Sequence, residues 1–181
     1  MSRVPPIEID KLTPEQRRLH DEIAGARSGH VRGPFAIWLR LPQIADKANQ
    51  LGNVLRRGGK LERRLFELMV LTIARRWSAQ YEWFAHEKNA LAAGLATDVV
   101  EAIRARQVPN FAREDERLIY EIVTEIDETR TLSQPNYERA VDALGLDLLI
   151  ELVTAAGFYS SVAMMINVFE APVPGGERPL P

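Results

Sequence analysis

Residues 63–94, RRLFELMVLTIARRWSAQYEWFAHEKNALAAG, constrain the fold more than any other part of the chain. Their first half puts Leu65, Leu68, Met69, Thr72 and Ile73 on one helical stripe, with Arg63, Arg64, Arg75 and Arg76 at the ends, so residues 61–76 read as a core helix. Trp77-Ser78 breaks it, Ser78 is placed to cap a second helix over residues 79–93, and Gly94 stops that helix. Two helices joined by so short a break lie antiparallel, and this hairpin is the expected centre of the molecule.

The rest of the chain reads as further helices. Thr13, Pro14 and Gln16 form a capping box with proline at the first helical position, opening a helix that runs to about Gly25. His20 falls on it among Arg17, Arg18 and Asp21 and is expected to be an exposed surface histidine. A breaker-rich loop, Ser28-Gly29-His30-Val31-Arg32-Gly33-Pro34-Phe35, leads into an apolar segment over 35–41. Pro42 opens a helix with Ile44, Ala48, Leu51 and Leu55 at helical spacing, ending at Arg57-Gly58-Gly59. Thr97-Asp98 is expected to cap a short helix to Arg106, a longer one covers 113–129, and Ser133 is expected to cap another to Leu144. The last helix, 147–168, carries small residues at Ala155, Ala156, Gly157, Ser160 and Ser161 that allow close packing. No segment sustains period-two alternation, so the expected fold class is all-α, a helical bundle around the central hairpin. At 181 residues and 46% hydrophobic, the chain suits a single domain over 1–181, with a Pro/Gly-rich tail at about 171–181.

Three residues of the hairpin carry candidate chemistry. Glu82 and His86 are four apart, about 40° around a helix from each other, and can touch one small molecule. Glu67 lies among Phe66, Leu68, Met69, Val70 and Leu71, where a buried carboxylate is costly unless paired, with Arg63 or Arg64 as ion-pair candidates. A carboxylate beside an imidazole favours the protonated ring, and crowded carboxylates favour the neutral acid, so such a cluster can keep a proton available near neutral pH. His30 and Arg32 in the loop could bind an anionic substrate. Phe35, Trp38, Tyr81 and Tyr159 are candidate pocket walls, although Tyr81 and Trp83 also suit the core or a subunit interface.

The spacing of Glu67, Glu82 and His86, the run Ala79-Gln80-Tyr81-Glu82-Trp83 with Ala85-His86, the turn Gly33-Pro34-Phe35 and the late segment from Gly157 to Asn167 resemble the carboxymuconolactone decarboxylase and alkylhydroperoxidase D superfamily. The hydroperoxidase branch places CxxC twelve residues after the glutamate, at positions held here by Ala79 and Glu82, and this chain has no cysteine at all. Thiol peroxide chemistry therefore does not carry over. The decarboxylase branch has a glutamate four residues before the histidine, as here. That resemblance implies an alkylhydroperoxidase D-like bundle and a cofactor-free lyase of aromatic-compound catabolism, acting on a small carboxylated lactone or oxo acid. It also implies a homo-oligomer, trimer or hexamer. In this scheme His86 polarises a carbonyl or donates a proton, Glu82 orients His86, and Glu67 is the acid or base. The same groups would serve a hydrolase or isomerase, or be structural in a non-catalytic small-molecule-binding oligomer. Two carboxylates and a histidine can also make a metal face, but the parent decarboxylase reaction uses no metal, and none is expected.

A formal charge of −2, from 23 basic and 25 acidic residues, offers no basic field for nucleic acid. The start, MSRVPPIEIDK, lacks the apolar run of a signal peptide, and the absence of cysteine excludes a disulfide scaffold. The apolar stretch at 146–169 is long enough to span a bilayer but contains Asp147, Glu151, Ser160, Ser161 and Asn167, so a buried or interface helix, no membrane and a cytoplasmic location are expected.

Overall fold

A computed structural model describes residues 2–27 and 29–181; Met1 and Ser28, the latter in the loop expected before Pro34, lie outside the described residues. The helices are α1 (Pro14–Gly25), α2 (Pro34–Trp38), α3 (Pro42–Asn53), α4 (Arg63–Arg76), α5 (Gln80–Ala92), α6 (Thr97–Arg104), α7 (Glu114–Thr129), α8 (Gln134–Leu144) and α9 (Leu146–Val168). Among the described residues there is no strand, and the all-α expectation is met.

The central element is α4. Every residue at 64–75 is buried, on all sides and not along one stripe, because α4 is covered by α5, α7 and α9. A helix apolar around most of its circumference belongs in the middle of a bundle. Glu151 of α9 fixes its entry by accepting the backbone N–H groups of Lys60 at 2.8 Å and Leu61 at 3.0 Å. The Arg64 guanidinium remains inside by donating to Glu116 at 2.5 Å and Asp115 at 2.8 Å, on α7.

α1 begins with the expected reciprocal capping box between Thr13 and Gln16. Other cap assignments need correction. Ser78 adopts φ 51° and its Oγ accepts from Arg75 and Arg106, while Ala79 is the residue that precedes α5. Ala96, not Thr97 or Asp98, precedes α6, and Ser133 precedes α8 without a side-chain cap.

The face α3 turns inward also differs from expectation. Ala45, Asn49 and Gly52 are buried, whereas Ile44 and Leu51 are 50% and 40% exposed. Polar anchoring and close approach decide the matter: Asn49 accepts from Arg27 and donates to Glu22, both at 3.0 Å, and a Cβ on Gly52 would come within 3.2 Å of the Phe158 ring. A π-helical turn at Val54–Gly58 then rotates the chain so that Leu55 is buried after all.

Candidate active site

α4 and α5 run side by side, which sets Glu67, in the second turn of α4, against His86, at the middle of α5. Glu67 Oε2 lies 2.7 Å from His86 Nδ1. Glu67 is wholly buried and His86 is 8% exposed. The other Glu67 oxygen faces Arg63 one turn earlier on α4, in a charge contact that is not aligned as a hydrogen bond. A buried carboxylate held this way between a guanidinium and an imidazole is compensated. As an anion Glu67 accepts from Nδ1–H, which leaves Nε2 as the ring atom free to exchange a proton. The edge of Tyr159 on α9 packs on the His86 ring at 5.3 Å and fixes its plane.

Glu82 behaves differently. It is 1% exposed, and neither carboxyl oxygen has a hydrogen-bond partner among the described residues. Burial therefore pushes its pKa well above the ordinary carboxylate range and favours the neutral acid. The hydrogen bond expected from Glu82 to His86 is made by another residue: the carboxylate that holds the ring is Glu67 from the neighbouring helix, and Glu82, four residues away on the same helix, makes no hydrogen bond to it. The i, i+4 spacing brings two side chains near each other but does not oblige them to bond when another carboxylate is better aimed.

Both His86 and Glu82 open on a cleft of ≈ 620 Å³, whose lining includes His30, Arg32, Phe35, Tyr81 and Tyr159. Trp38 is the exception among the expected wall residues. It stands behind the wall, packed edge-on to Phe35 at 5.3 Å and tilted against Phe158 at 6.4 Å. Glu67 too lies behind the lining, reaching the cleft only through Arg63 and His86. Gly33, at φ 59°, lets the Tyr81 ring rest directly on the backbone, where any Cβ would collide with it.

The sequence reading missed the charge of this cleft. Arg27, Arg56 and Arg57 line it beside Arg32 and Arg63. Arg27 stacks over Phe35 at 4.1 Å, and burial, then Arg56 and Arg57, pull its pKa down to about 10. Burial also lowers the pKa of Arg56, which has no carboxylate partner within ion-pair distance among the described residues. Only Arg63 could have been found from spacing, as the residue four before Glu67.

Among the described residues no three His, Asp or Glu side chains are arranged to hold a metal ion. A larger cleft of ≈ 760 Å³, between the amino-terminal arm, residues 31–39 and the tail at 171–175, is mostly apolar and contains none of Glu67, Glu82 or His86. His20 faces that cleft, half-buried and 2.9 Å from Asp21, and so is not the exposed residue expected.

No protein-family model matches the sequence, and no curated protein matches it either. Solved structures do match. One is the alkylhydroperoxidase AhpD core of an uncharacterized peroxidase-related protein from Ralstonia eutropha JMP134, with a TM-score of 0.79 and 14% identity over 96% of this chain and 93% of that one. Another is an uncharacterized peroxidase-related protein from Silicibacter sp. TM1040, with a TM-score of 0.78 and 13% identity over 99% of this chain and 95% of that one. The chain therefore has the fold of the alkylhydroperoxidase AhpD core.

Proposed function

We propose that this chain is a cofactor-independent lyase that removes carbon dioxide from a small carboxylated lactone or oxo acid, on a homo-oligomeric scaffold. The observation that carries this reading is the 2.7 Å Glu67–His86 pair opening, through His86, on an arginine-lined cleft beside the buried Glu82 carboxyl, which has no hydrogen-bond partner among the described residues. A thiol peroxidase is excluded for a separate reason, since a chain without cysteine has neither the attacking nor the resolving thiol.

The arginines of the cleft bind the substrate carboxylates, and the aromatic wall limits water around the reacting carbon. Breakage of the carbon–carboxyl bond releases carbon dioxide and leaves its electron pair delocalised into the neighbouring carbonyl as an enolate. His86 Nε2 hydrogen-bonds the enolate oxygen, with Glu67 holding the ring in place and stabilising its positive charge. Glu82 gives its proton to the carbanion carbon, forming the new C–H bond, and regains a proton from water. A carboxyl whose pKa burial raises well above the ordinary range is suited to this step because it keeps its proton to higher pH than an exposed acid does.

The experiment is a screen of carboxylated lactones and oxo acids for carbon dioxide release, repeated with Glu82→Gln and His86→Asn. Release by the parent protein, lost in both variants at unchanged helicity, supports the proposal. Undiminished turnover in Glu82→Gln, or product formed without carbon dioxide, overturns it; the second outcome would point instead to a hydrolase or isomerase on the same groups.

A further inference from the structure

We infer that a small pocket at the carboxy-terminal end of α4 is a phosphate-binding site built on Arg75 and Arg106. The pocket, of ≈ 290 Å³, is lined by Arg75 and Arg76 of α4, Ile103 of α6, Arg106 just after α6, and Tyr120 and Glu128 of α7. It shares no residue with the cleft that holds His86 and Glu82. Arg75 stands eight residues beyond Glu67, about 12 Å along the helix, so the pocket and the catalytic cleft use opposite ends of α4.

The charges of this pocket do not balance. Arg76 is matched by Asp127 at 2.5 Å and Glu128 at 3.0 Å, but Arg75 and Arg106 have no carboxylate within ion-pair distance among the described residues. Arg75 is nevertheless only 7% exposed, and a buried guanidinium is costly unless its charge is met. Its Nε donates to the Arg104 carbonyl at 2.7 Å and its Nη1 to Ser78 Oγ at 3.2 Å, which leaves Nη2 without a hydrogen bond among the described residues. Arg106 Nη2 donates to the same hydroxyl oxygen at 2.8 Å. Ser78 thus ties two guanidiniums side by side and neutralises neither, and the nearness of Arg106 adds to burial in lowering the pKa of Arg75. The bond to Arg104 caps α6 and accounts for one edge of Arg75; it does not account for a second guanidinium brought against the first.

An anion bound between them resolves the imbalance, and the donors select its kind. Arg75 comes from α4, Arg106 from the segment after α6 and the Tyr120 hydroxyl from α7, so the lining donors belong to three separate segments. A tetrahedral phosphate has oxygens for all three and, as a dianion, matches two positive charges, whereas a planar carboxylate is satisfied by a single guanidinium fork. Glu128, the acid in the lining, is exposed and already engaged by Arg76. The room left beside Ile103 admits a small organic group, so free phosphate and a phosphate monoester share the chemistry this site takes.

Inorganic phosphate and glycerol phosphate are titrated calorimetrically into the full chain at constant ionic strength, with acetate as the planar comparison. Because the arginines of the catalytic cleft also attract anions, the variants come from both places: Arg106→Gln, exposed and so free to fold, and Ser78→Gly, which keeps the positive φ and removes the hydroxyl, against Arg56→Gln. Phosphate should bind saturably and more tightly than acetate. Its affinity should fall by about tenfold or more in Arg106→Gln, the loss of a charge-assisted hydrogen bond, fall less in Ser78→Gly, and stay unchanged in Arg56→Gln. Phosphate should also raise the melting temperature of the parent and not that of Arg106→Gln. The tighter of the two phosphates identifies the source. Saturable binding of neither, acetate binding as well as phosphate, or a loss in Arg56→Gln with none in Arg106→Gln, which would assign the anion to the catalytic cleft, would each overturn the proposal.

Discussion

Two charge clusters meet α4, one buried and one lining the half-open cleft, and they are built on opposite terms. At one end Arg64, 4% exposed, is surrounded by Glu116, Asp115 and Glu62, so that its charge is matched several times over. On the side facing α5, among the described residues, Arg27, Arg56 and Arg57 gather with no carboxylate within ion-pair distance and Glu82 is buried with no hydrogen-bond partner, whereas Glu67 is matched by His86 and Arg63. The first arrangement satisfies the fold. The second leaves positive charge and a buried carboxyl without partners among the described residues, as expected of a binding or catalytic site, where groups are held in states that cost stability.

The largest effect should come from the cleft. His86→Asn and Glu82→Gln should each lower turnover by about 10²–10⁴-fold, the usual share of a general acid or base, with helicity unchanged. Glu67→Gln should act less severely, because it alters the orientation of the ring and not a group that touches substrate. If it equals His86→Asn in effect, Glu67 exchanges the proton itself. Steady-state kinetics on the substrate found by the carbon dioxide screen decide the order.

Breaking the matched cluster should instead cost stability. Arg64→Met leaves Glu116, 3% exposed, without its main partner, and should destabilise the fold by about 3–5 kcal/mol, measured by urea unfolding, with turnover per folded molecule near normal. A loss under about 1 kcal/mol would mean that the surrounding acids take up protons without strain, and the contrast between the clusters would weaken.

Gly33→Ala should fall between these two regions. Its backbone, φ 59° and ψ −134°, is of a kind that L-residues avoid, and the added methyl collides with Tyr81. A cost of about 1–3 kcal/mol is expected, together with weaker substrate binding as Tyr81 leaves the cleft wall. Tyr81→Leu should relieve the clash and recover part of the stability without recovering the binding.

The smallest effects are in pH, with opposite signs at the two clusters. Hydrogen bonds from Arg113, then from Arg64, hold Asp115 below the usual carboxylate range, so its contribution is present above its unfolded pKa and is lost as pH falls through the folded one. Glu82 is raised by burial, so the native state binds the extra proton, and stability declines as pH rises from its unfolded pKa through its folded pKa. Glu82→Gln should therefore gain stability towards neutral pH relative to the parent and show little difference near pH 4. Denaturation midpoints measured across that range test both signs; an unchanged profile in Glu82→Gln would mean that the carboxyl is solvated in solution.

Much of this molecule was decided by its sequence. The α4–α5 hairpin follows from the apolar run that ends at Trp77-Ser78, the start of α1 from Thr13, Pro14 and Gln16, and the absence of peroxidase thiols from Ala79 and Glu82 where CxxC would be. These are local properties, fixed by spacing and residue type, and spacing also singled out Glu67, Glu82 and His86 as candidates. Only tertiary structure could decide which carboxylate meets the imidazole. Separation along a helix fixes where side chains leave the backbone, but Glu67 reaches His86 across an interhelical contact whose register depends on packing throughout the bundle. The inward turn of α3, set by Asn49 and Gly52 in place of Ile44 and Leu51, has the same origin. So does the gathering of Arg27 from the end of α1 with Arg56 and Arg57, because electrostatic neighbours far apart in sequence are chosen by the fold, and no periodicity in the chain records them.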